Sequence, residues 1–252
     1  MQNNYKKQVE DLLAINKELA QKNDNLEQQN KELKQFSYLA SHDLQQPVNN
    51  IISYLSILED SKDKLDDLGN LCLDAVKKSS YKMKSFITSL LEYTIIGSNP
   101  KNEEFYINDV INSVKDVLLD KIDKANAEIN IYIKEHQLKG YKNDIQLLFL
   151  HIIENALIYS KKNSKLIINI KSEVKENNYL YSISDNGIGI DKVHFKKIYD
   201  IFYTINRDEE FDGIGIGLAE CKKIITLYGG KIWVASELDK GTTFFFTLPR
   251  QE

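Results

Sequence analysis

Three prolines and eleven glycines in 252 residues leave no room for long proline-rich or glycine-rich linkers. The two cysteines, Cys72 and Cys221, lie far apart and lack the close spacing of metal-ligand pairs. A disulfide-stapled or zinc-ribbon fold is thereby excluded, and both are expected to be buried, reduced thiols. No apolar run reaches the ~18–20 residues needed to cross a bilayer as a helix, and no signal peptide opens the sequence. The expected setting is therefore cytoplasmic, either for this chain alone or as the cytosolic part of something longer. Net charge is also in short supply. With 33 basic against 37 acidic residues the balance is −4, which gives nucleic-acid binding no support.

What is present begins with heptads. Over residues 1–35, Leu12, Leu19, Leu26 and Leu33 recur every seven residues, each preceded at three residues by Val9, Asn16, Asn23 or Asn30. Leu at d with mostly Asn at a predicts a parallel two-stranded coiled coil of fixed register. A lone charged helix in solvent is the alternative. The register continues through Ser37, Ala40, Leu44, Pro47, Ile51, Tyr54 and Leu58, so the coiled coil is expected to feed a second helix over residues 36–58.

That helix holds two residues that an ordinary packed helix avoids. Pro47 lacks the N–H that would bond the carbonyl of Asp43. His42 lies about 200° around the helix from both Ala40 and Leu44, away from the apolar seam. A polar break at 59–67 and renewed helical periodicity over 68–96 (Leu71, Ala75, Val76, Met83, Phe86, Ile87, Leu90, Leu91) complete a helical hairpin spanning residues 36–97. One hairpin cannot bury its own apolar face. Pairing of two copies into a dimeric four-helix bundle is the economical solution.

Residues 97–102 (GSNPKN) mark a boundary, and from 103 to 252 strand and helix patterns alternate. Strands are expected at 105–107, 129–133, 166–174, 179–184, 231–236 and 242–248, and helices at 109–125, 143–160, 193–201 and 217–228. Together they predict a two-layer α/β sandwich with a mixed sheet and helices on one face.

Three features of this part carry chemistry. Asp185-Asn186-Gly187-Ile188-Gly189-Ile190 follows a strand directly, placing a carboxylate where it can accept from an exocyclic amine, with glycines permitting close approach. Gly213-Ile214-Gly215-Ile216-Gly217-Leu218 opens a helix whose free N–H groups and dipole favour a polyphosphate. It is neither a dinucleotide fingerprint nor a P-loop, since it follows an acidic loop and lacks Gly-Lys-Ser/Thr. Asn155, in a strongly apolar helix, offers an amide oxygen suited to Mg²⁺. Residues 202–212 between the glycine clusters read as a lid.

In this order the motifs resemble the transmitter core of bacterial two-component sensor histidine kinases, over residues 36–249. Residues 36–48 resemble the phosphoacceptor box and 145–160 the Asn box. DNGIGI and GIGIGLA resemble the two glycine boxes, 198–203 the Phe box, and GGKIWVASELDKGTTFFFTLP the closing strands. The resemblance implies an ATP- and Mg²⁺-dependent protein-histidine kinase acting as a homodimer. His42 would be the phosphoacceptor and Asp43 its general base and orienter. Asn155 would hold Mg²⁺, and Asp185, Gly187, Gly189 and Thr242 would surround the adenine end. Gly213, Gly215 and Gly217 would close on the phosphates. The phosphoryl group would pass to an aspartate of a response-regulator receiver domain, and the sensory input would lie outside this chain.

The sequence departs from the family pattern at three positions. His151 stands where Asn is usual and Ile158 where Lys or His is usual, both near the phosphates; Lys161, Lys162 or Arg207 are the basic residues that could substitute. Gln46 stands where members that dephosphorylate their partner carry Thr or Asn, so phosphatase activity is not implied. Two other functions compete: a nucleotide-binding dimeric scaffold with little catalysis, and a chaperone- or mismatch-repair-type ATPase, which leaves the His42 helix unexplained. His136 and His194 are expected at the surface.

Overall fold

A computed structural model describes residues 15, 16, 19, 20, 22, 37, 40, 41, 43–97, 103–162, 164–205 and 213–250. The chain divides into two compact units, Met1–Thr94 and Ile95–Glu252. Most of the expected coiled coil, 1–35, lies outside the described residues; the five described there are helical and exposed.

In the first unit, helix α1 (residues 43–59) runs straight through Pro47. A 3-10 turn, Lys62–Lys64, leads to helix α2 (Asp67–Ile95). Asp66 caps α2: its Oδ1 accepts from the backbone N–H of Gly69 at 2.7 Å, satisfying one of the amides that a helix start leaves unpaired. Buried residues recur every seven positions on both sides of the hairpin, Ser41, Val48 and Leu55 against Leu73, Ser80 and Ile87. Exposed ion pairs, Lys77–Glu59 at 2.6 Å and Lys62–Asp74 at 3.2 Å, bracket the turn. The heptad seam read from the sequence behaves differently. Leu44, Pro47, Ile51, Tyr54 and Leu58 are all exposed, as are Leu71, Val76 and Met83 of α2. The a and d positions therefore do not close the hairpin; the residue after each d position does.

The second unit is a five-stranded sheet, order β2-β4-β5-β7-β6, with a two-stranded ribbon β1-β3 beside it. Its strands are β1 (Glu103–Tyr106), β2 (Glu128–Tyr132), β3 (Gln137–Gly140), β4 (Ile167–Lys175), β5 (Asn178–Asp185), β6 (Ile232–Glu237) and β7 (Gly241–Pro249). The helices are α3 (Ile107–Val117), α4 (Leu119–Lys124), α5 (Lys142–Ile158) and α6 (Gly217–Leu227). β2 pairs with β4 in parallel and the other pairings are antiparallel, which is the expected mixed sheet. Period-two alternation sends Ile168, Ile170, Tyr181, Ile183, Phe244, Phe246 and Leu248 to one buried face. Tyr181 and Phe246, paired across β5 and β7, stack at 4.9 Å, and Phe149 of α5 meets both edge-on. α5 packs against α3 and α6, and its buried residues, Asp144, Ile145, Leu148, Phe149, Ile152, Ile153, Ala156 and Leu157, recur in pairs every four positions along one face.

Several elements differ from expectation. The helix expected over 109–125 is two, α3 and α4, divided at Leu118 (φ −94°, ψ 5°), which stays buried in the core; no Gly or Pro announces the break. The helix expected over 193–201 is two 3-10 turns, Lys192–His194 and Lys197–Tyr199. β3 carries one inward apolar residue, Leu138, too little for a strand signature. Cys221 is buried as expected, but Cys72 is exposed. His136 is not a plain surface residue either. Its ring stacks on Tyr179 at 3.9 Å, its Nδ1 lies 2.7 Å from the Lys134 carbonyl and its Nε2 2.5 Å from the hydroxyl of buried Tyr181. Burial holds its imidazole below the usual histidine range. His194, half-buried, pairs through Nδ1 with the Tyr203 hydroxyl at 2.7 Å.

Removing the Tyr181 hydroxyl strands the His136 ring nitrogen without filling any space. Tyr181→Phe is therefore expected to lower unfolding free energy by about 1–3 kcal/mol, read as a shift of the urea midpoint at unchanged slope.

Candidate functional site

The end of β5 organises the second unit's motif residues. Asp185 Oδ1 accepts two backbone N–H bonds, from Gly187 at 2.8 Å and from Thr242 at 3.2 Å. Burial is the main influence on this carboxyl and raises it above its ordinary 3.8; the two amides and the Lys161 charge work in the opposite direction. Beyond it the loop folds onto the end of α5, where the Ile188 N–H donates to the Tyr159 carbonyl at 3.0 Å. The turn between β6 and β7 closes over the same loop, Asp239 N–H donating to the Ile188 carbonyl at 2.8 Å. Gly189 has φ +75°, and a Cβ there would fall 2.1 Å from the Glu237 carbonyl oxygen, so only glycine fits.

The second glycine cluster meets the other side of α5. Gly215, also at φ +75°, accepts through its carbonyl from the Phe202 N–H at 2.8 Å. Gly217 begins α6 against the ring of His151, where a Cβ would lie 3.0 Å from Nδ1. His151 and Asn155 are four residues apart on α5 and so share a face. The expected nucleotide residues thus form one connected set: Asp185 touches Gly187 and Thr242, the loop touches Tyr159, and α5 carries Asn155 and His151 to the start of α6.

Other expected residues fall elsewhere. His42 lies outside the described residues; Asp43 is exposed on α1 in the first unit, as is Gln46. The expected lid, 202–212, is described only over 202–205, and Arg207 lies outside. Lys161 points its ammonium at the Asp239 carbonyl and Ile158 is exposed. Asn186 is structural, its side chain bridging Ile167 N–H and the Lys165 carbonyl.

Sequence reading missed three residues here. Ser236 sits opposite Thr242 in the β6-β7 register, shares a 2.9 Å hydroxyl contact with it and accepts from the Ile190 N–H at 2.8 Å. Counting back across the hairpin turn would have found it. Tyr159 closes the α5 end of the loop. Glu220, buried in the first turn of α6, contacts His151 across the helix interface; nothing in one sequence marks that contact.

Residues 32–99 match the His Kinase A (phospho-acceptor) domain, and residues 140–252 match the histidine kinase-, DNA gyrase B- and HSP90-like ATPase domain. The chain belongs to the sensor histidine kinases. Cyanobacterial phytochrome A from Nostoc sp. is 35% identical over 236 residues, 92% of this histidine kinase chain and 30% of the relative. Sensor protein kinase WalK from Staphylococcus aureus is 28% identical over 237 residues, covering 88% of this chain and 55% of that protein. The chain spans about a third of the length of the phytochrome relatives it matches. Among solved structures, the catalytic domain of histidine kinase ThkA aligns with TM-score 0.52 and 27% identity over 60% of this chain and 96% of that one. ThkA in complex with response regulator protein TrrA shares the fold at TM-score 0.59 and 21% identity, over 89% of this chain and 65% of that one.

The raised Asp185 carboxyl gives a signed expectation. Its folded-state value exceeds its unfolded one, so stability falls as pH rises from about the ordinary 3.8 through the raised value, and the ionised group subtracts from stability at neutral pH. An amide oxygen can still accept from both backbone N–H groups. Asp185→Asn is therefore expected to leave the ligand-free protein at least as stable at pH 7 while weakening ATP binding about tenfold or more. Thermal melts with and without ATP check both halves.

Proposed function

We propose that this chain transfers the γ-phosphoryl group of ATP to His42 and then passes it to an aspartate of a response-regulator receiver domain. What carries the reading is the presence, in one chain, of a phospho-acceptor domain and a histidine-kinase-type ATPase domain. In the proposed step a nitrogen of His42 attacks the γ-phosphorus in line. A P–N bond forms, the P–O bond to ADP breaks, and the imidazole proton passes to Asp43. Asp185 Oδ2 accepts from the adenine amine, and the first turn of α6, with Gly213, Gly215 and Gly217, receives the phosphates on its backbone N–H groups.

Asn155 fits Mg²⁺ of the kind that stays on its phosphates and waters and takes one or two protein oxygens. Its amide is half-buried on α5, whereas the neighbouring Glu154 is engaged by Lys121 of α4. Held there by Asn155, the ion would supply positive charge to offset that of the phosphates. The response-regulator partner follows from the phospho-acceptor domain and from the complex formed by ThkA. A cytoplasmic setting suits an ATP-using enzyme, and among the described residues no helix is long and apolar enough to cross a membrane.

The active unit is proposed to be a homodimer. The exposed row Leu44, Ile51, Tyr54 and Leu58 on α1, with Leu71, Val76 and Met83 on α2, is an apolar surface that a second hairpin would cover.

Incubation with γ-labelled ATP is expected to put acid-labile, alkali-stable phosphate on the wild type and none on His42→Gln, with Asn155→Ala at or below about 1% of the wild-type rate. Equal labelling of His42→Gln would overturn the reading. The two hairpin faces separate in a second experiment. Ile51→Glu with Tyr54→Glu is expected to give folded monomers by light scattering, whereas Val48→Asp, a charge at the buried intrachain seam, is expected to lose helical signal by circular dichroism.

A further inference from the structure

Glu220 is out of place for an anion site. It lies in the first turn of α6, the helix start that the proposed function assigns to the polyphosphate, and its side chain is 2% exposed. Among the described residues its Oε1 has no hydrogen-bond partner. A buried carboxylate of this kind is costly in itself, and within one turn of a bound triphosphate it adds like-charge repulsion in a poorly screened setting. One group answers it. His151 Nε2 lies directly against Glu220 Oε2, a contact that is an ion pair when the ring is protonated, although Nε2 makes no aligned hydrogen bond. The same ring covers Gly217, where a Cβ would sit 3.0 Å from Nδ1 and 3.1 Å from Cγ. A side chain at 217 would press on the ring, which would have to give by a few tenths of an ångström, and glycine there lets α6 lie close against it.

We propose that His151 is a positioning residue that masks the buried Glu220 carboxylate, so that the first turn of α6 can accept the polyphosphate of ATP. The imidazole stands between the Asn155 face of α5 and the α6 turn, where it fills the space and sets Nε2 against Glu220 Oε2. The inference rests on the proposed reading of α6 as the phosphate site.

A double-mutant cycle on the whole chain tests it, using His151→Ala, Glu220→Gln and the pair together. ATP and adenosine affinities are measured by calorimetry, and KM and kcat for His42 phosphorylation by γ-labelled ATP. His151→Ala is expected to weaken ATP about tenfold or more and to leave adenosine, which has no phosphate, near its wild-type affinity. Glu220→Gln is expected to bind ATP as tightly as wild type or tighter. The double variant is expected to regain most of what His151→Ala lost, chiefly in KM. Additive losses, or equal losses for ATP and adenosine, would mean a merely structural contact and overturn the proposal. Should His151→Ala fail to fold, His151→Asn keeps much of the volume without the charge and gives the same cycle. The two readings fail separately. Coupled ATP affinities without phosphate on His42 sink the kinase reading and leave the masking pair standing, while normal labelling with additive affinities sinks the pair alone.

Discussion

The second unit depends on α5 burying one face in the core while its other face presents polar groups. α3, α6 and the sheet pack against it, and Ile145, Leu148, Phe149, Ile152, Ile153, Ala156 and Leu157 fill the space. His151, Asn155 and the helix end at Tyr159 lie off that face, half-buried. His151 meets the start of α6 and Tyr159 the loop after β5. A helix held this firmly fixes where those side chains stand, because moving it would disturb three packed surfaces together. The site is thus positioned by the core.

Fixing the site has a cost that shows in its charges. Asp185 sits where burial opposes its ionisation, and the two amides on Oδ1 offset that only in part. Glu220 is buried with one oxygen unpartnered among the described residues. A fold selected for stability alone would place neither group there. Carboxylates poised against desolvation gain when a ligand supplies the missing partner, and in the proposed function adenine's amine is that partner for Asp185. Glu220 has no comparable ligand, which is why its compensation has to come from within the chain, from His151.

Much of this was legible in sequence because glycines and strand ends announce themselves. Asp185, Gly187 and Gly189 were placed by a motif following a strand, and Gly189 proves to need its positive φ against the Glu237 carbonyl. The second cluster was legible as a helix start. The connection between the clusters was not, since it runs through His151 against Gly217, a contact 66 positions apart that leaves no periodic trace. Local weakness hid other elements. β3 holds by pairing with β1 around a single apolar residue, and the break at Leu118 is imposed by the core. His136 looked like a loop residue because its partners, Tyr179 and Tyr181, arrive from a strand more than forty positions later.

The hairpin makes the subtlest case. Heptads run through its sequence, yet a heptad says only that two rows lie along one side of a helix; it does not say which neighbour covers them. Here the intrachain partner takes the row Ser41, Val48 and Leu55, one residue beyond the row that carries the coiled-coil register. The register therefore passes through α1 without being used up by α2, leaving Leu44, Ile51, Tyr54 and Leu58 for another surface. One helix can then answer to two partners through adjacent rows, so a rotation of only ~100°, one residue's worth, separates them. A small twist imposed from the N-terminal side would shift apolar area from one row towards the other.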